Sequence, residues 1–219
     1  MRSASGAQPP LRVELLVEEP SAAAALEQLV PRILGTGTVL AIHAHQGKRD
    51  LLASLPGRLR GYARWLDHVH AHVVVLVDRD GDDCRQLKLR LESAAQEAGL
   101  VTRSAARVGA ASAVVNRVAV EELEAWFFGD IPALCAAFPG VPEALAARKA
   151  YRDPDAIAGG TWEARQRVLQ AAGYYSTGLN KIDAARRIAS HMDPARNRSR
   201  SFLAFRDALR GIGSGRHGA

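Results

Sequence analysis

The chain has 219 residues, of which 47% are hydrophobic and 24% charged, with two cysteines and a formal net charge of +6 at pH 7. This length and composition predict one globular domain with a small appendage, and two cysteines without CxxC spacing exclude a disulfide framework. No apolar run is long enough to cross a bilayer and residues 1–10 contain no signal-peptide core, so we expect a cytoplasmic protein whose positive charge favours a polyanionic partner.

The first part of the chain alternates strand and helix patterns. Runs of apolar, β-branched residues predict strands at Leu11 to Val17, Thr38 to Ala44, His72 to Asp78, Leu100 to Ala106 and Ala113 to Val120. Apolar residues at helical spacing predict helices at Ser21 to Leu34, Asp50 to Trp65 (interrupted at Pro56-Gly57) and Cys84 to Ala98. This order predicts an α/β domain over residues 11–130, with a mainly parallel sheet and covering helices.

Beyond Asp130 the strand patterns stop and short helices follow. They are predicted at Pro132 to Phe138, Pro142 to Lys149, Thr161 to Ala172, Lys181 to His191 and Ser201 to Arg210. We therefore expect residues 131–212 to form a helical C-terminal region packed on the α/β domain. The polar, small-residue ends, residues 1–10 and 213–219, are predicted to be disordered.

The central predicted strand ends at a cluster of acids that begins with Asp78 and Asp80. If the chain stays extended, these two side chains point to one side. Neighbouring carboxylates repel each other unless a proton or a cation lies between them, and Mg²⁺ prefers such oxygen ligands. The alternative is an acidic strand-to-helix turn in which Asp82 or Asp83 caps the next helix.

Two further predicted strands also end at acids. The first runs into Glu18, and the last runs into Glu122 and Glu124. Because parallel strands deliver their carboxyl ends to one edge of a sheet, where ligands bind, we expect these acids to converge. The sequence therefore predicts a Mg²⁺ or Mn²⁺ site at Glu18, Asp78 and Asp80, with Glu122 and Glu124 in or behind the ligand shell.

Basic side chains indicate where a polyanion would bind. Arg196, Arg198 and Arg200 precede the last predicted helix and could contact phosphates without reading bases. A solvated helix face is the alternative reading of this stretch. Lys48 is a further candidate for phosphate contact, and so is Lys181, which could instead pair with a neighbouring helix.

Other residues carry weaker signals. His68, His70 and His72 alternate at the amino end of the central strand, away from the acids, and we interpret them as surface residues. Trp126 and Phe127 are expected in the core rather than in a stacking platform. The sequence contains no GxSxG elbow, P-loop or GxGxxG, which argues against a hydrolase triad and an ATPase.

Five short motifs, in this order, resemble a known family. They are Leu16-Val17-Glu18-Glu19-Pro20-Ser21, His45-Gln46-Gly47-Lys48-Arg49-Asp50-Leu51-Leu52, Leu76-Val77-Asp78-Arg79-Asp80, Glu122-Leu123-Glu124-Ala125-Trp126 and Ser199-Arg200-Ser201-Phe202. The glutamate and the DxD pair resemble the metal site of the topoisomerase–primase (TOPRIM) fold. The whole set, between Leu11 and Leu209, resembles a bacterial TOPRIM-like family, the domain of unknown function 4276. That family is similar to the nuclease half of the overcoming-lysogenisation-defect (OLD) proteins.

The resemblance implies a TOPRIM-like (Rossmann-like) fold and a metal-dependent nuclease of a phage-defence type. It implies that Glu18, Asp78 and Asp80 hold one or two metal ions. We expect Glu122 and Lys181 to complete the catalytic group. It also implies a nucleic-acid substrate, DNA rather than RNA. Because the chain has no ATPase motif, the resemblance implies a separate ATPase subunit.

Two positions depart from the related patterns. Glu19 stands where TOPRIM proteins have glycine, and Ala22 stands where the related pattern has an acid. These departures leave three interpretations open: an active enzyme in which Glu18 binds metal or acts as a general base, a non-catalytic subunit that binds nucleotide or nucleic acid and regulates an ATPase, and a structural partner. Assembly into a homo-oligomer also stays open.

Overall fold

Four apolar, largely β-branched runs form one parallel sheet in the computed structural model, which describes residues 9–107, 110–176 and 178–213. The strands are β1 (Arg12–Val17), β2 (Val39–Ala44), β3 (Ala71–Asp78) and β4 (Val114–Ala119). Their order is β2-β1-β3-β4, and each neighbouring pair is parallel. The predicted α/β fold with a parallel sheet is confirmed. Most of the termini for which disorder is predicted lie outside the described residues.

Helices separate the strands and account for most of the chain after β4. They are α1 (Pro20–Leu34), α2 (Lys48–Ala63), α3 (Cys84–Glu97), α4 (Glu124–Phe128), α5 (Ile131–Ala137), α6 (Thr161–Ala171), α7 (Lys181–His191) and α8 (Arg200–Gly213). Short 3₁₀ helices lie at Leu66–His68, Glu143–Ala147, Lys149–Tyr151 and Pro154–Ala156. Helix starts follow ordinary capping chemistry: Pro20 opens α1, and Asn180 Oδ1 accepts the N–H of Asp183 at 3.1 Å to cap α7. None of the described helices is both long and apolar enough to span a membrane.

Three predicted elements differ from the structure. Leu100 to Ala106 is not a strand: only Thr102 bridges to Val114, because the chain turns there and the N–H groups of Ala105 and Ala106 bond back to the Thr102 carbonyl. Helix α2 runs through Pro56 without interruption, since its buried leucines are held against the sheet. The predicted helix at Pro142 to Lys149 is two short 3₁₀ turns.

The alternation of side chains along β3 divides the core into two layers. Val73, Val75 and Val77 pack with residues of α2 and α3, whereas Val74 and Leu76 pack with α1 and the C-terminal helices. Helices therefore cover both faces, as in Rossmann-like folds, and the inner strand β3 has a continuous apolar run from Val73 to Val77. Of the three histidines that we interpret as surface residues, His72 is half-buried, because it lies in the inner strand β3, and its Nδ1 is buried.

Aromatic residues join the C-terminal helices to the sheet. Trp126 and Phe127 of α4 are fully buried, as predicted for core residues. The Trp126 ring lies 5.3 Å from that of Phe202 and 5.0 Å from that of Phe205, both in α8. The Trp126 Nε1–H donates to Ser201 Oγ at 2.9 Å. Trp126 therefore links α4, which follows the sheet, to α8 at the end of the helical region.

Gly129 occupies the tightest position in this junction. A Cβ there would lie 2.1 Å from Asn197 Oδ1 and 2.9 Å from the Ser199 nitrogen. Asn197 is itself buried and donates to the Trp126 carbonyl at 2.7 Å, so it has little freedom to move. We expect Gly129→Ala to lower the free energy of unfolding by about 2–4 kcal/mol, through overpacking and loss of that hydrogen bond.

Urea denaturation measures this change. The matched control is Gly57→Ala, at an exposed helical position where an added Cβ meets nothing within 4 Å. Alanine there should be neutral or stabilising by up to about 1 kcal/mol. Equal midpoints for the two variants would contradict the packing argument.

Candidate functional site

The strand order creates a crevice between β1 and β3. The chain passes from β1 to β2 on one side and from β3 to β4 on the other, so the order reverses between β1 and β3. Ligands of open parallel sheets bind at such a point, beyond the carboxyl ends of the strands. Glu18 follows β1 and Asp78 ends β3, and the backbone N–H of Asp78 donates to Glu18 Oε1 at 2.8 Å. The first predicted acid therefore reaches across the crevice to the second.

A cleft of about 60 Å³ opens at this edge of the sheet. Its lining consists of Glu18, Glu19, Ser21 and Ala22 after β1, Leu76, Asp78 and Asp80 at the end of β3, Glu122, Leu123 and Glu124 after β4, and Lys181 of α7. Acids from three strand ends thus meet in one place, and the helical region supplies a lysine. The space suits a hydrated ion rather than a large apolar ligand.

Burial and mutual repulsion raise the pKa values of the two central acids. Burial raises the pKa of Glu18 to about 7, although the Asp78 N–H and the charge of Lys48 oppose the change. Burial, and then the charges of Glu124 and Glu18, raise the pKa of Asp78 well above its usual range. Burial and repulsion therefore favour the protonated forms of these carboxyl groups, and a bound cation would relieve the same repulsion.

The raised pKa of Glu18 predicts a pH-dependent stability. Folded Glu18 keeps its proton up to about pH 7, whereas an unfolded chain loses it near the ordinary glutamate pKa of 4.5. Between these values the folded state binds more protons, so stability falls as pH rises through this window. We expect the metal-free protein to lose up to about 3 kcal/mol of stability between pH 4.5 and 8, which corresponds to the rise of the Glu18 pKa from 4.5 to about 7.

Urea denaturation with chelator at several pH values tests this expectation. Glu18→Gln removes the titrating group and should flatten the profile. Glu97→Gln, an exposed glutamate at the end of α3, serves as the control and should leave the profile unchanged. A profile that keeps its slope in Glu18→Gln would rule out Glu18 as the source.

Glu124 forms an ion pair with Arg165, a residue that was not among the candidates predicted from the sequence. Arg165 of α6 is fully buried, and its Nη2 lies 2.9 Å from Glu124 Oε1. Burial raises the pKa of Glu124, and the charge of Arg165 partly offsets that rise. The only sequence signal for Arg165 is that it falls on the apolar stripe of α6, between Ala164 and Val168.

Glu122 caps α6. Its Oε2 accepts the Thr161 hydroxyl at 2.8 Å and the Trp162 backbone N–H at 2.8 Å. The carboxylate therefore ties the segment after β4 to the helical region. Its other oxygen, Oε1, accepts no hydrogen bond among the described residues and is the one left for a ligand.

The chain is not extended at Asp80, which corrects that part of the expectation, although Asp78 and Asp80 line the same cleft. Asp80 has a left-handed φ of 47°, and its carboxylate lies 2.7 Å from Lys48 Nζ. The same ammonium lies 2.8 Å from Asp82 Oδ2. The predicted alternative of an acidic turn also holds, since Asp83 accepts the first N–H groups of α3.

As the side chains stand, no three His, Cys, Asp or Glu residues of the described chain form a group able to hold a metal ion. Side-chain cations bind the outer acids instead. These pairs are Lys48 with Asp80, Arg165 with Glu124, and Lys181 with Glu19 at 3.6 Å. Within the described residues Glu18 and Asp78 form no ion pair. An all-oxygen set with two uncompensated acids at its centre fits Mg²⁺ or Mn²⁺ by charge and donor type.

The basic residues before α8 have structural partners. Arg196 forms two hydrogen bonds with the buried Asp130. Its Nε donates to Oδ1 at 2.8 Å and its Nη2 donates to Oδ2 at 3.0 Å. Arg200 Nη2 lies 2.6 Å from Asp153 Oδ2, while the side chain of Arg198 is exposed. A phosphate-binding role for this stretch stays a prediction. Its test must rest on Arg198, because removing Arg196 would leave a buried carboxylate unpaired.

Comparison with known proteins adds one finding. A family model with the description Domain of unknown function (DUF4276) matches residues 17–210. No curated protein and no solved structure matches the chain. The matched segment includes the acids of the cleft and the helices that carry Arg165 and Lys181.

Proposed function

The chain belongs to the family of the domain of unknown function DUF4276, and from its acidic cleft we propose that it is a Mg²⁺- or Mn²⁺-dependent phosphoryl-transfer enzyme, a nuclease of the TOPRIM type. The observation that carries the proposal is the meeting of acids from three strand ends at the switch point of the sheet, with Glu18 and Asp78 lacking a cation. Such crowding is unfavourable until a cation binds. The motif resemblance to TOPRIM proteins supports the same chemistry.

Each residue of the cleft has a role in this proposal. Glu18 and Asp78 would hold the metal, joined by Asp80 once it leaves Lys48. When bound, the metal supplies Lewis-acid activation of water and of the phosphoryl oxygen. Glu18, with a pKa of about 7, is suited to take a proton near neutral pH if it is not a ligand. Lys181 lines the cleft and would pair with phosphate charge.

The proposed substrate is nucleic acid, DNA rather than RNA. A net charge of +6 is consistent with a polyanionic substrate. The resemblance to OLD-type nucleases extends the proposal to a separate ATPase subunit and a role in phage defence, since the chain has no P-loop.

Metal titration and cleavage assays on the purified chain test the proposal. We expect Mn²⁺ and Mg²⁺ to bind and to support cleavage of labelled DNA, and chelator to stop it. Single-stranded DNA, duplex DNA and RNA are compared at equal concentration. Metal binding without cleavage of any of them, with or without an ATPase partner, would refute the enzymatic proposal.

A second candidate, a non-catalytic regulatory subunit, is favoured by Lys48. Its ammonium already neutralises Asp80 and Asp82 and also donates to the Arg79 carbonyl at 3.1 Å. If Lys48 is the permanent cation of this loop, the chain would bind nucleotide or nucleic acid without turnover. The enzyme proposal requires instead that Lys48 yields Asp80 to the metal.

The affinity of Lys48→Met for Mg²⁺ separates these readings. If the ammonium competes with metal for Asp80, its removal should tighten Mg²⁺ binding about fivefold, the equivalent of roughly 1 kcal/mol for a partly exposed pair. Isothermal titration calorimetry measures the affinity. Lys88→Met, which breaks an ion pair with Glu92 on α3, is the control and should leave the affinity unchanged. Weaker binding in Lys48→Met would mean that Lys48 positions Asp80 rather than blocks it.

A further inference from the structure

Trp162 contacts two residues that line the acidic cleft, Glu122 and Lys181, and has no role in the chemistry proposed above. It is the second residue of α6, and its backbone N–H donates to Glu122 Oε2 at 2.8 Å. Its side chain is half-buried, unlike that of Trp126, which is enclosed in the core. The hydrogen bond to Glu122 therefore fixes a partly exposed indole next to the acids.

Two cations hold the indole ring. The guanidinium carbon of Arg165 lies 5.2 Å from the ring centroid and Lys181 Nζ lies 4.7 Å from it. Arg165 is fully buried, so its contact supports the ring from the interior. Lys181 is 41% exposed, so its contact with the ring is open to exchange with a ligand.

The buried guanidinium has an unusual environment. None of the guanidinium nitrogens of Arg165 has a hydrogen-bond partner among the described residues, although Nη2 forms an ion pair with Glu124 Oε1 at 2.9 Å. Besides this ion pair, the guanidinium packs on the ring of Trp162 and on that of Phe127, whose centroid lies 5.4 Å from the guanidinium carbon. A planar cation between two rings is a rigid support for the outer one.

We propose that Trp162 is a stacking platform for an unpaired base of the substrate, and that Lys181 moves from the indole ring to the phosphate beside that base. This inference rests on the proposed phosphoryl-transfer function and specifies its substrate class. A stacked base requires an open face, so the substrate is single-stranded or has unpaired nucleotides next to the scissile phosphate. Stacking on aromatic side chains contributes about 1–3 kcal/mol per base and is tolerant of sequence.

The position of Trp162 ties stacking to cleavage. Glu122 bonds to the Trp162 backbone and also lines the cleft, so the platform and the acids share one carboxylate. Lys181 likewise contacts the ring and lines the cleft. A base on Trp162 would therefore place its own phosphate near the acids, which is what selection of an unpaired site requires.

Fluorescence anisotropy with two matched oligonucleotides tests the inference. One is a labelled oligothymidylate and the other has the same backbone with abasic sites; both are measured with Ca²⁺ in place of Mg²⁺. The wild-type chain should bind the thymidylate about tenfold more tightly, equal to roughly 1.4 kcal/mol, and Trp162→Ala should remove that preference. Trp65→Ala is the control, because Trp65 is also half-buried but lies beside Arg12 at the amino end of β1.

Trp162→Phe is a second variant for the case that Trp162→Ala misfolds, since phenylalanine keeps an aromatic ring at this position. Oligothymidylate should quench the tryptophan fluorescence of the wild-type chain and of Trp65→Phe, and Trp162→Phe should lose that quenching. A base preference that survives in Trp162→Ala, or no binding of thymidylate by the wild-type chain, would overturn the inference. If the chain cleaves DNA in Mg²⁺ but its preference for thymidylate over the abasic oligonucleotide does not depend on Trp162, only the stacking role of Trp162 is overturned. A preference that depends on Trp162, without cleavage in Mg²⁺, would support the platform and refute the nuclease.

Discussion

Asp78→Asn should lower the Mg²⁺-dependent kcat/KM by about a thousandfold or more, because it removes a ligand from the centre of the acidic cleft. Loss of metal-based stabilisation of the transition state amounts to several kcal/mol, and each 1.36 kcal/mol is tenfold in rate. Among the described residues, the cleft acids Glu18, Asp78 and Glu122 form no ion pair, and Glu122 is already bonded to Thr161 and Trp162, so we do not expect a neighbouring acid to replace Asp78. Cleavage of labelled DNA in Mg²⁺ measures the loss.

The same variant should be more stable than the wild-type chain when no metal is present. Burial and the charges of Glu124 and Glu18 raise the pKa of Asp78, so its ionised form is disfavoured in the folded state. For an acid with a raised pKa, folded-state stability is lost as pH rises above the value in the unfolded chain. Asparagine carries no charge at any pH, so the gain from Asp78→Asn should be larger at pH 8 than at pH 5.

Thermal melting with chelator, at both pH values, checks the stability half of this prediction. Asp67→Asn is the matched control: Asp67 is an exposed acid in the turn before β3, at the other end of the sheet. It should change neither activity nor the pH profile. A marked loss of stability in Asp78→Asn at pH 8 would indicate instead that Asp78 is a hydrogen-bonded structural aspartate and would remove it from the metal site.

The strands and the meeting point of the acids could be predicted because they depend on local pattern. An apolar run that ends at an acid marks the end of a parallel strand, and parallel strands share an edge. Glu18 and Asp78 each follow such a run, and both line one cleft. A local pattern does not predict every element. The segment from Leu100 to Ala106 begins with apolar residues, but the chain forms a turn at Thr102 instead of a strand.

The partners of the acids could not be predicted, because they come from distant parts of the chain. Lys48 reaches Asp80 from the start of α2, and Arg165 reaches Glu124 from α6. Spacing says nothing about the left-handed backbone at Asp80 that turns its side chain toward the lysine. Local patterns therefore identified the acids, and only the tertiary structure shows which of them already have a cation.

The partner of the motif Ser199-Arg200-Ser201-Phe202 is also distant in the chain, and its contacts stabilise the fold. Asp155, which lies in a 3₁₀ turn, is buried and accepts the hydroxyl of Ser199 at 2.7 Å and that of Ser201 at 2.9 Å. Its second oxygen accepts the backbone N–H of Arg200, the first residue of α8. The acid therefore caps α8 and holds the helix next to Trp126, whose indole donates to Ser201.

Asp155→Ala should lower the free energy of unfolding by about 3–5 kcal/mol. Hydrogen bonds to a charged group contribute about 1.5–3 kcal/mol each, and the buried serine hydroxyls would be left without their acceptor. Urea denaturation measures the change. Asp207→Ala, which breaks an exposed ion pair with Arg206 on α8, is the control and should change stability by less than about 1 kcal/mol.

Arg200→Ala distinguishes a structural motif from a basic one. The Arg200 side chain is 78% exposed and, among the described residues, pairs with Asp153, whereas its backbone N–H donates to Asp155. Its replacement should therefore change stability by less than about 1 kcal/mol. A loss in Asp155→Ala as small as that in Arg200→Ala would mean that the packing of Phe202 and Phe205 on Trp126 holds α8 without the cap. A large loss in Asp155→Ala alone would assign the motif to the fold and leave Arg198 as the residue of this stretch available to a polyanion.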